Sequence, residues 1–246
     1  MCQDCGCGDP NLVPIEVQHR ILERNDQTAI HNREHFSADS ILCINLMGSP
    51  GAGKTAVLEA TARAAGNPRA FAALAGDLAT ENDADRLRAA GIRSRAITTG
   101  QACHLDAELV HRSLHGFDLD DVECLFIENV GNLVCPAVYD LGQAANVVAL
   151  SVTEGEDKPL KYPTMFQKAD LVLLTKTDLL PHLPHIRVTK IYDALARVMP
   201  DPQVFTIAAI NDSGMTQWLR WLEQRRAKLA SSAPATHHHH EHAHAR

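Results

Sequence analysis

No stretch of this 246-residue chain stays apolar for more than a handful of positions, and runs such as 41–46 fall far short of the ~20 residues that cross a bilayer. That excludes a membrane-spanning helix, and no membrane partner is expected. Basic charge is also scarce: 23 Lys and Arg stand against 30 Asp and Glu, a formal net charge of -7, with no local basic patch. An acidic surface repels phosphate backbones, so no nucleic-acid partner is expected. The opening Met-Cys-Gln-Asp-Cys has neither the basic region nor the apolar core of a secretory signal, and a cytoplasmic location is the expectation. Seven Cys is an odd number, and three fall within the first seven positions. A reducing compartment and metal binding suit that pattern better than a disulfide framework. What is present is ordinary globular composition, 45% hydrophobic and 22% charged, enough for one large or two small domains.

Three segments follow from the pattern: an arm over 1–36, a domain over 37–228 and a low-complexity, unfolded tail over 229–246. The arm holds the Cys cluster and then a helix-compatible stretch at 15–35. From Ser40 onward, apolar strand-like runs at 41–46, 69–74, 95–98, 122–127, 146–152, 170–174 and 204–208 alternate with helical stretches. Those stretches are 54–65, 81–90, 106–115, 184–199 and 214–228, several of them stopped by Gly. Alternation of this kind predicts an α/β domain with a mainly parallel, doubly wound sheet covered on both faces.

Between the first strand and the first helix of that alternation stands Gly48-Ser-Pro-Gly-Ala-Gly-Lys-Thr55, a P-loop, G-x-x-x-x-G-K-S/T. Gly48, Ser49, Gly51, Ala52, Gly53 and Ala56 are expected to wrap their backbone around the phosphates. Lys54 reaches the β- and γ-phosphates and Thr55 ligates Mg²⁺. The run 122–127 ends in Glu128-Asn-Val-Gly131, where the carboxylate would hold Mg²⁺ and the Gly131 N–H would meet the γ-phosphate. Asp77, just past another strand, is a second candidate for the metal or the attacking water, with helix entry near Thr80 as its alternative role. Thr175-Lys176-Thr-Asp178 reads the base: a carboxylate pairs with guanine N1–H and the 2-amino group, whereas adenine would leave it unpaired. GTP is therefore the expected substrate and GDP the product. Ala208 and Ala209, after a later strand, are expected to offer a backbone N–H to guanine O6. No Gln or Arg stands in an obvious water-orienting position, so intrinsic hydrolysis is expected to be slow.

Thiols and imidazoles form the other constellation. Cys43 and Cys124 fall within strands and read as core. Cys103, His104 and Cys135 come from two loops and offer a plausible Zn²⁺ or Ni²⁺ set, Cys135 in the loop expected to follow the γ-phosphate. Cys2, Cys5 and Cys7 cannot be packed core at a chain end, which leaves a chance reactive cluster, a redox pair or a metal site. Their soft thiolates suit a thiophilic ion, and a planar N/S set favours Ni²⁺. His237, His238, His239, His240, His242 and His244 read either as an affinity tag or as a metal-buffering tail; the interruptions at Glu241 and Ala243 favour the latter.

Taken together, these motifs resemble the HypB family of nickel-incorporation GTPases of nickel-iron hydrogenase maturation, within the SIMIBI class of P-loop proteins. The resemblance spans about 37–223 and includes Gly76-Asp-Leu-Ala-Thr-Glu-Asn-Asp-Ala-Asp-Arg86 and Ser151-Val-Thr-Glu-Gly-Glu-Asp-Lys-Pro159 beside the motifs already quoted. Two positions depart from the family pattern: Thr175 replaces the usual Asn, and Ala208-Ala209-Ile210 is a loose form of the base loop. The resemblance implies a GTP- and metal-dependent homodimer and metal held by Cys103, His104 and Cys135 across its interface. It also implies nickel transfer, with a HypA-type nickel chaperone, to the hydrogenase large subunit. The competing readings are the related urease GTPase UreG, which has Cys-Pro-His where this chain has Cys135-Pro136-Ala137, a nickel storage protein, and a small-molecule kinase, which Asp178 disfavours.

Overall fold

The computed structural model describes residues 15–77, 81–100 and 104–232, with side chains over 20–77, 81–100 and 104–231. Cys2, Cys5, Cys7, Cys103 and the His residues from His237 to His244 lie outside those residues. Seven strands form one sheet: β1 Leu42–Gly48, β2 Phe71–Asp77, β3 Arg93–Thr98, β4 Cys124–Glu128, β5 Ala145–Ser151, β6 Leu171–Thr175 and β7 Val204–Thr206. Their order is β3-β2-β4-β1-β5-β6-β7, and every pairing is parallel. Each expected strand is thus present, shifted by a few residues at its ends.

The helices are α1 Ile15–Ala38, α2 Lys54–Ala65, α3 Asn82–Ala89, α4 Ala107–Leu114, α5 Lys158–Lys161, α6 Pro163–Gln167, α7 Val188–Val198 and α8 Met215–Ser232. Every residue of β1 is buried, as a central parallel strand covered on both faces requires. Its side chains alternate between two cores. Leu42, Ile44 and Leu46 join Phe126 and Trp218 beneath α2 and α8, while Cys43 packs with Phe36, Leu125 and Val110 beneath α1 and α4. Met47, on that second face, joins Phe166 and Leu195 beneath α6 and α7. Cys43 and Cys124 are buried, and burial pushes both thiols well above the ordinary thiol range. They are core, as expected.

Three differences from the sequence pattern have local causes. Helix α7 starts at Val188 rather than 184, because Arg187 is extended and its N–H donates to Glu156 Oε1 at 2.6 Å. The short helices α5 and α6 occupy a segment without clear periodicity, each with a proline in its first turn. Helix α1 runs on to Ala38 and is docked: Ala29, Asn32 and Phe36 are buried against the sheet domain.

Candidate nucleotide and metal site

The P-loop leaves the carboxyl end of β1, between β4 and β5, the crevice where strand order reverses and where open α/β sheets bind ligands. Its glycines are there for space. At Gly48 a Cβ would stand 2.5 Å from the Ala149 carbonyl oxygen, and Gly53, at φ +90°, opens α2 with no side-chain cap. That leaves first-turn N–H groups for an anion. Ser49 Oγ is buried without a hydrogen-bond partner among the described residues. Lys54 is buried too, with Nζ 3.4 Å from the carbonyls of Gly48 and Ser49. Burial lowers its pKa, and Glu128 and Asp83 oppose that shift.

A carboxylate pair meets the first turn of α2. Thr55 Oγ1 lies 2.7 Å from Glu128 Oε1 and 2.9 Å from Asp83 Oδ1. One hydroxyl hydrogen serves only one of them at a time. Glu128, the last residue of β4, is 3% exposed, and its second oxygen is buried with no partner among the described residues. Burial raises its pKa to about 7 against the opposing pull of Thr55 and Lys54. Asp83, on the first turn of α3, escaped the sequence pattern because 28 residues separate it from Thr55. Only the position of α3 beside α2 reveals it.

Asp77 and Gly131 line the same cleft of about 450 Å³, as do Pro50, Asn129 and Lys176. Asp77 does not join Glu128 and Asp83 on the Thr55 hydroxyl. A Cβ on Gly131 would stand 2.9 Å from the Pro50 backbone, so the loop after β4 is pressed onto the P-loop. Arg86 reaches the cleft wall as well, yet its guanidinium is paired side-on with Glu59 at 3.0 and 2.8 Å.

The base loop is tied to the phosphate loop. Buried Thr175 donates its hydroxyl to the Ala52 carbonyl at 2.6 Å, an anchoring bond within reach of a short β-branched hydroxyl. Lys176 adopts φ +57°, and its Cε would lie 3.8 Å from a Cβ placed on Gly53. Asp178 follows in a 3-10 helix, Thr177–His182. The Thr177 N–H donates to Ile207 O at 3.2 Å, which brings the loop of Ala208 and Ala209 alongside. Ala208 N–H itself donates to Ser213 O at 3.0 Å, committing that amide within its own loop.

Of the expected transition-metal ligands, His104 and Cys135 are half-buried. The His104 ring stacks on Tyr139, centroids 4.0 Å apart, and Tyr139 lies four residues beyond Cys135. Burial lowers the His104 pKa, with Asp106 opposing, which favours the neutral imidazole that binds metals. Among the described residues no three His, Cys, Asp or Glu side chains converge on one point.

Residues 42–205 match the family model described as CobW/HypB/UreG, nucleotide-binding domain. The hydrogenase maturation factor HypB of Azotobacter chroococcum mcd 1 is 49% identical over 212 residues, 86% of this chain and 69% of that protein. The hydrogenase/urease maturation factor HypB of Helicobacter pylori strain J99 is 38% identical over 227 residues, covering 89% of this chain and 91% of its own length. Among solved structures, HypB from Helicobacter pylori in complex with nickel is 36% identical with a TM-score of 0.78, covering 87% of this chain and 99% of that one.

Proposed function

Because the chain belongs to the CobW/HypB/UreG family, and within it to the HypB proteins, we propose that it is a GTP-hydrolysing nickel metallochaperone that inserts nickel into the large subunit of nickel-iron hydrogenase. The observation that carries this reading is one loop with two duties. It leaves Glu128, 2.7 Å from the P-loop Thr55, passes Gly131 against Pro50, and arrives at Cys135. Nucleotide state and metal ligand therefore share one short piece of backbone.

The donor set around Thr55 fits Mg²⁺: a hydroxyl and two carboxylates, of which that of Glu128 has a buried oxygen without a partner among the described residues, all hard oxygens. When bound there with GTP, the ion neutralises charge on the β- and γ-phosphates. The chain's own groups do the remainder. Backbone N–H groups from Gly53 to Ala56 cradle the phosphates, the Ala52 N–H being committed to the Ser49 carbonyl at 3.1 Å, and Lys54 swings from the Gly48 and Ser49 carbonyls to the γ-phosphate, where negative charge grows in the transition state. Asp77, across the cleft, orients the attacking water. Asp178 pairs with guanine N1–H and the 2-amino group, Lys176 lies along the ring, and Ala209 offers the N–H to O6 that Ala208 has committed elsewhere. Arg86 is held by Glu59 and Asp83, which leaves Lys54 without a second cation from Arg86 at the γ-phosphate, and slow intrinsic turnover follows.

Nickel is cargo in this scheme. Cys103, His104 and Cys135 hold it, or Zn²⁺ in its place, between two copies of the chain in a GTP-favoured homodimer. Cys2, Cys5 and Cys7 form a separate, tighter nickel site, and the terminal His run buffers further ions. A HypA-type chaperone and the hydrogenase large subunit are the partners, and the cytoplasm is the place of action. The name of the Helicobacter pylori relative favours urease as a second destination. Nickel affinity measured with GDP and with a non-hydrolysable GTP analogue tests the scheme: different affinities are expected, and identical ones would break the link between hydrolysis and delivery.

A further inference from the structure

Away from the nucleotide cleft, four histidines gather where α1 crosses α4. His31 and His35 lie one turn apart on α1, with their Nε2 atoms 3.1 Å from each other. His111 and His115 repeat the arrangement on and just after α4, Nε2 to Nε2 at 3.3 Å. The two pairs adjoin: the His31 and His111 ring centroids are 5.1 Å apart. His31, His35 and His115 are exposed and His111 is half-buried.

The protonation pattern of His111 can be read from its neighbours. The Asn32 side-chain nitrogen donates to the carbonyls of Ala107 and Leu141 at 2.9 and 3.2 Å, so its amide oxygen faces His111 Nδ1, 3.2 Å away. Nδ1 must then carry the hydrogen, and in the neutral ring the lone pair sits on Nε2, aimed at His115. A buried amide oxygen that orients an imidazole through its far nitrogen is the support that metal-ligating histidines have. Burial, the other three histidines assisting, lowers the His111 pKa and keeps that lone pair available.

We propose that these histidines form a surface site for imidazole-seeking divalent ions, Ni²⁺ or Zn²⁺, built as two adjacent bidentate clamps, His31 with His35 and His111 with His115. Metal–nitrogen bonds of ~2.0–2.1 Å spanning the observed separations give N–metal–N angles of roughly 95–110°, suited to adjacent positions of octahedral, square-planar or tetrahedral coordination. Histidines four apart on a helix are an established chelating pair. Water completes each shell, since no three such side chains among the described residues converge on one point. The site is distinct from His104, although α4 begins three residues after it. It stands on its own geometry whether or not the chain delivers nickel to hydrogenase.

Residue-resolved footprinting of the full chain tests it without interference from the Cys arm or the His tail. The protein is treated with diethyl pyrocarbonate, with and without saturating NiCl₂, and carbethoxylation is quantified at each His by peptide mass mapping. His31, His35, His111 and His115 are expected to slow by about tenfold, because in each the attacked lone pair is bound to the ion. Exposed His185 serves as reference and should keep its rate. Each clamp needs both members, so H35Q should lose protection at His31 and H115Q at His111, with the circular dichroism of both variants unchanged. Equal rates with and without nickel would overturn the proposal, and so would protection of His31 that survives in H35Q.

Discussion

Glu128 is the residue on which the proposed nucleotide site turns. A carboxyl with a pKa of about 7 in the fold and an ordinary value near 4.5 when unfolded gives a defined pH dependence. Below pH 4.5 it is neutral in both states. As pH rises toward 7 the unfolded chain loses its proton first, so the nucleotide-free, Mg²⁺-free fold loses stability across that window, by on the order of 1–3 kcal/mol, and above it the loss is constant. Glu128→Gln should remove this component. Urea denaturation at pH 5 and 7.5 should show the variant gaining on the parent protein as pH rises; parallel profiles would place the perturbed carboxyl elsewhere. At the other end of the nucleotide, Asp178→Asn should shift preference from guanosine toward xanthosine triphosphate, since the amide donates to a 2-oxo group that a carboxylate repels. Competition between the two nucleotides reads this out, and unchanged GTP selectivity would remove Asp178 from base recognition. Thr175 shows that a departure from a family pattern need not be a loss, because its hydroxyl makes its own bond to Ala52.

Helix α1 is the element whose role the sequence concealed. Its polar composition suggests a solvated arm, yet two asparagines carry it into the domain. Asn25 accepts from the Ala107 N–H at 2.9 Å and donates to Asp140 O at 2.8 Å, and Asn32 bonds Ala107 O and Leu141 O. Arg33 adds a pair with Asp140. These bonds join α1 to the start of α4, just after His104, and to the segment that follows Cys135 and Tyr139. Asn32→Ala would remove the bonds to Ala107 O and Leu141 O and the contact with His111 Nδ1, at a cost of about 2–3 kcal/mol. Chemical denaturation should show that loss, and hydrogen exchange should quicken in α1 and the first turn of α4 before the sheet. A cost under ~0.5 kcal/mol would mean that the asparagines do not hold the helix.

At the scale of the whole molecule, the question is coupling between the two sites. Glu128, Gly131 and Cys135 lie within eight residues on one loop, so GTP and GDP should set the Cys135 sulfur differently relative to Cys103 and His104. Linkage then makes metal and nucleotide each bias the other, typically by ~1–3 kcal/mol, or ~5–150-fold in affinity. Cys135→Ala, made in full-length protein whose Cys2, Cys5 and Cys7 are replaced by Ser, should weaken metal binding and erase its dependence on nucleotide. GTP affinity without metal should stay nearly unchanged. Nickel titrations in each nucleotide state decide it, and a nucleotide dependence that persists in the variant would assign the coupling to other residues.

The sequence by itself determined the seven strands, their alternation with helices and the P-loop, and it singled out Glu128 and the 175–178 loop as candidates, because each rests on local chemistry: buried parallel strands need apolar runs, and phosphate loops need glycines. It also marked Cys43 and Cys124 as core. Strand order was decided by the tertiary structure, since parallel pairing leaves no trace in spacing. So was the meeting of Asp83 with Thr55 across 28 residues, the hold of Thr175 on Ala52, the docking of α1, and the approach of two histidine pairs from helices some 80 positions apart in the chain. Contacts of that kind depend on which surfaces the packed sheet brings together, and no window along the chain contains both partners.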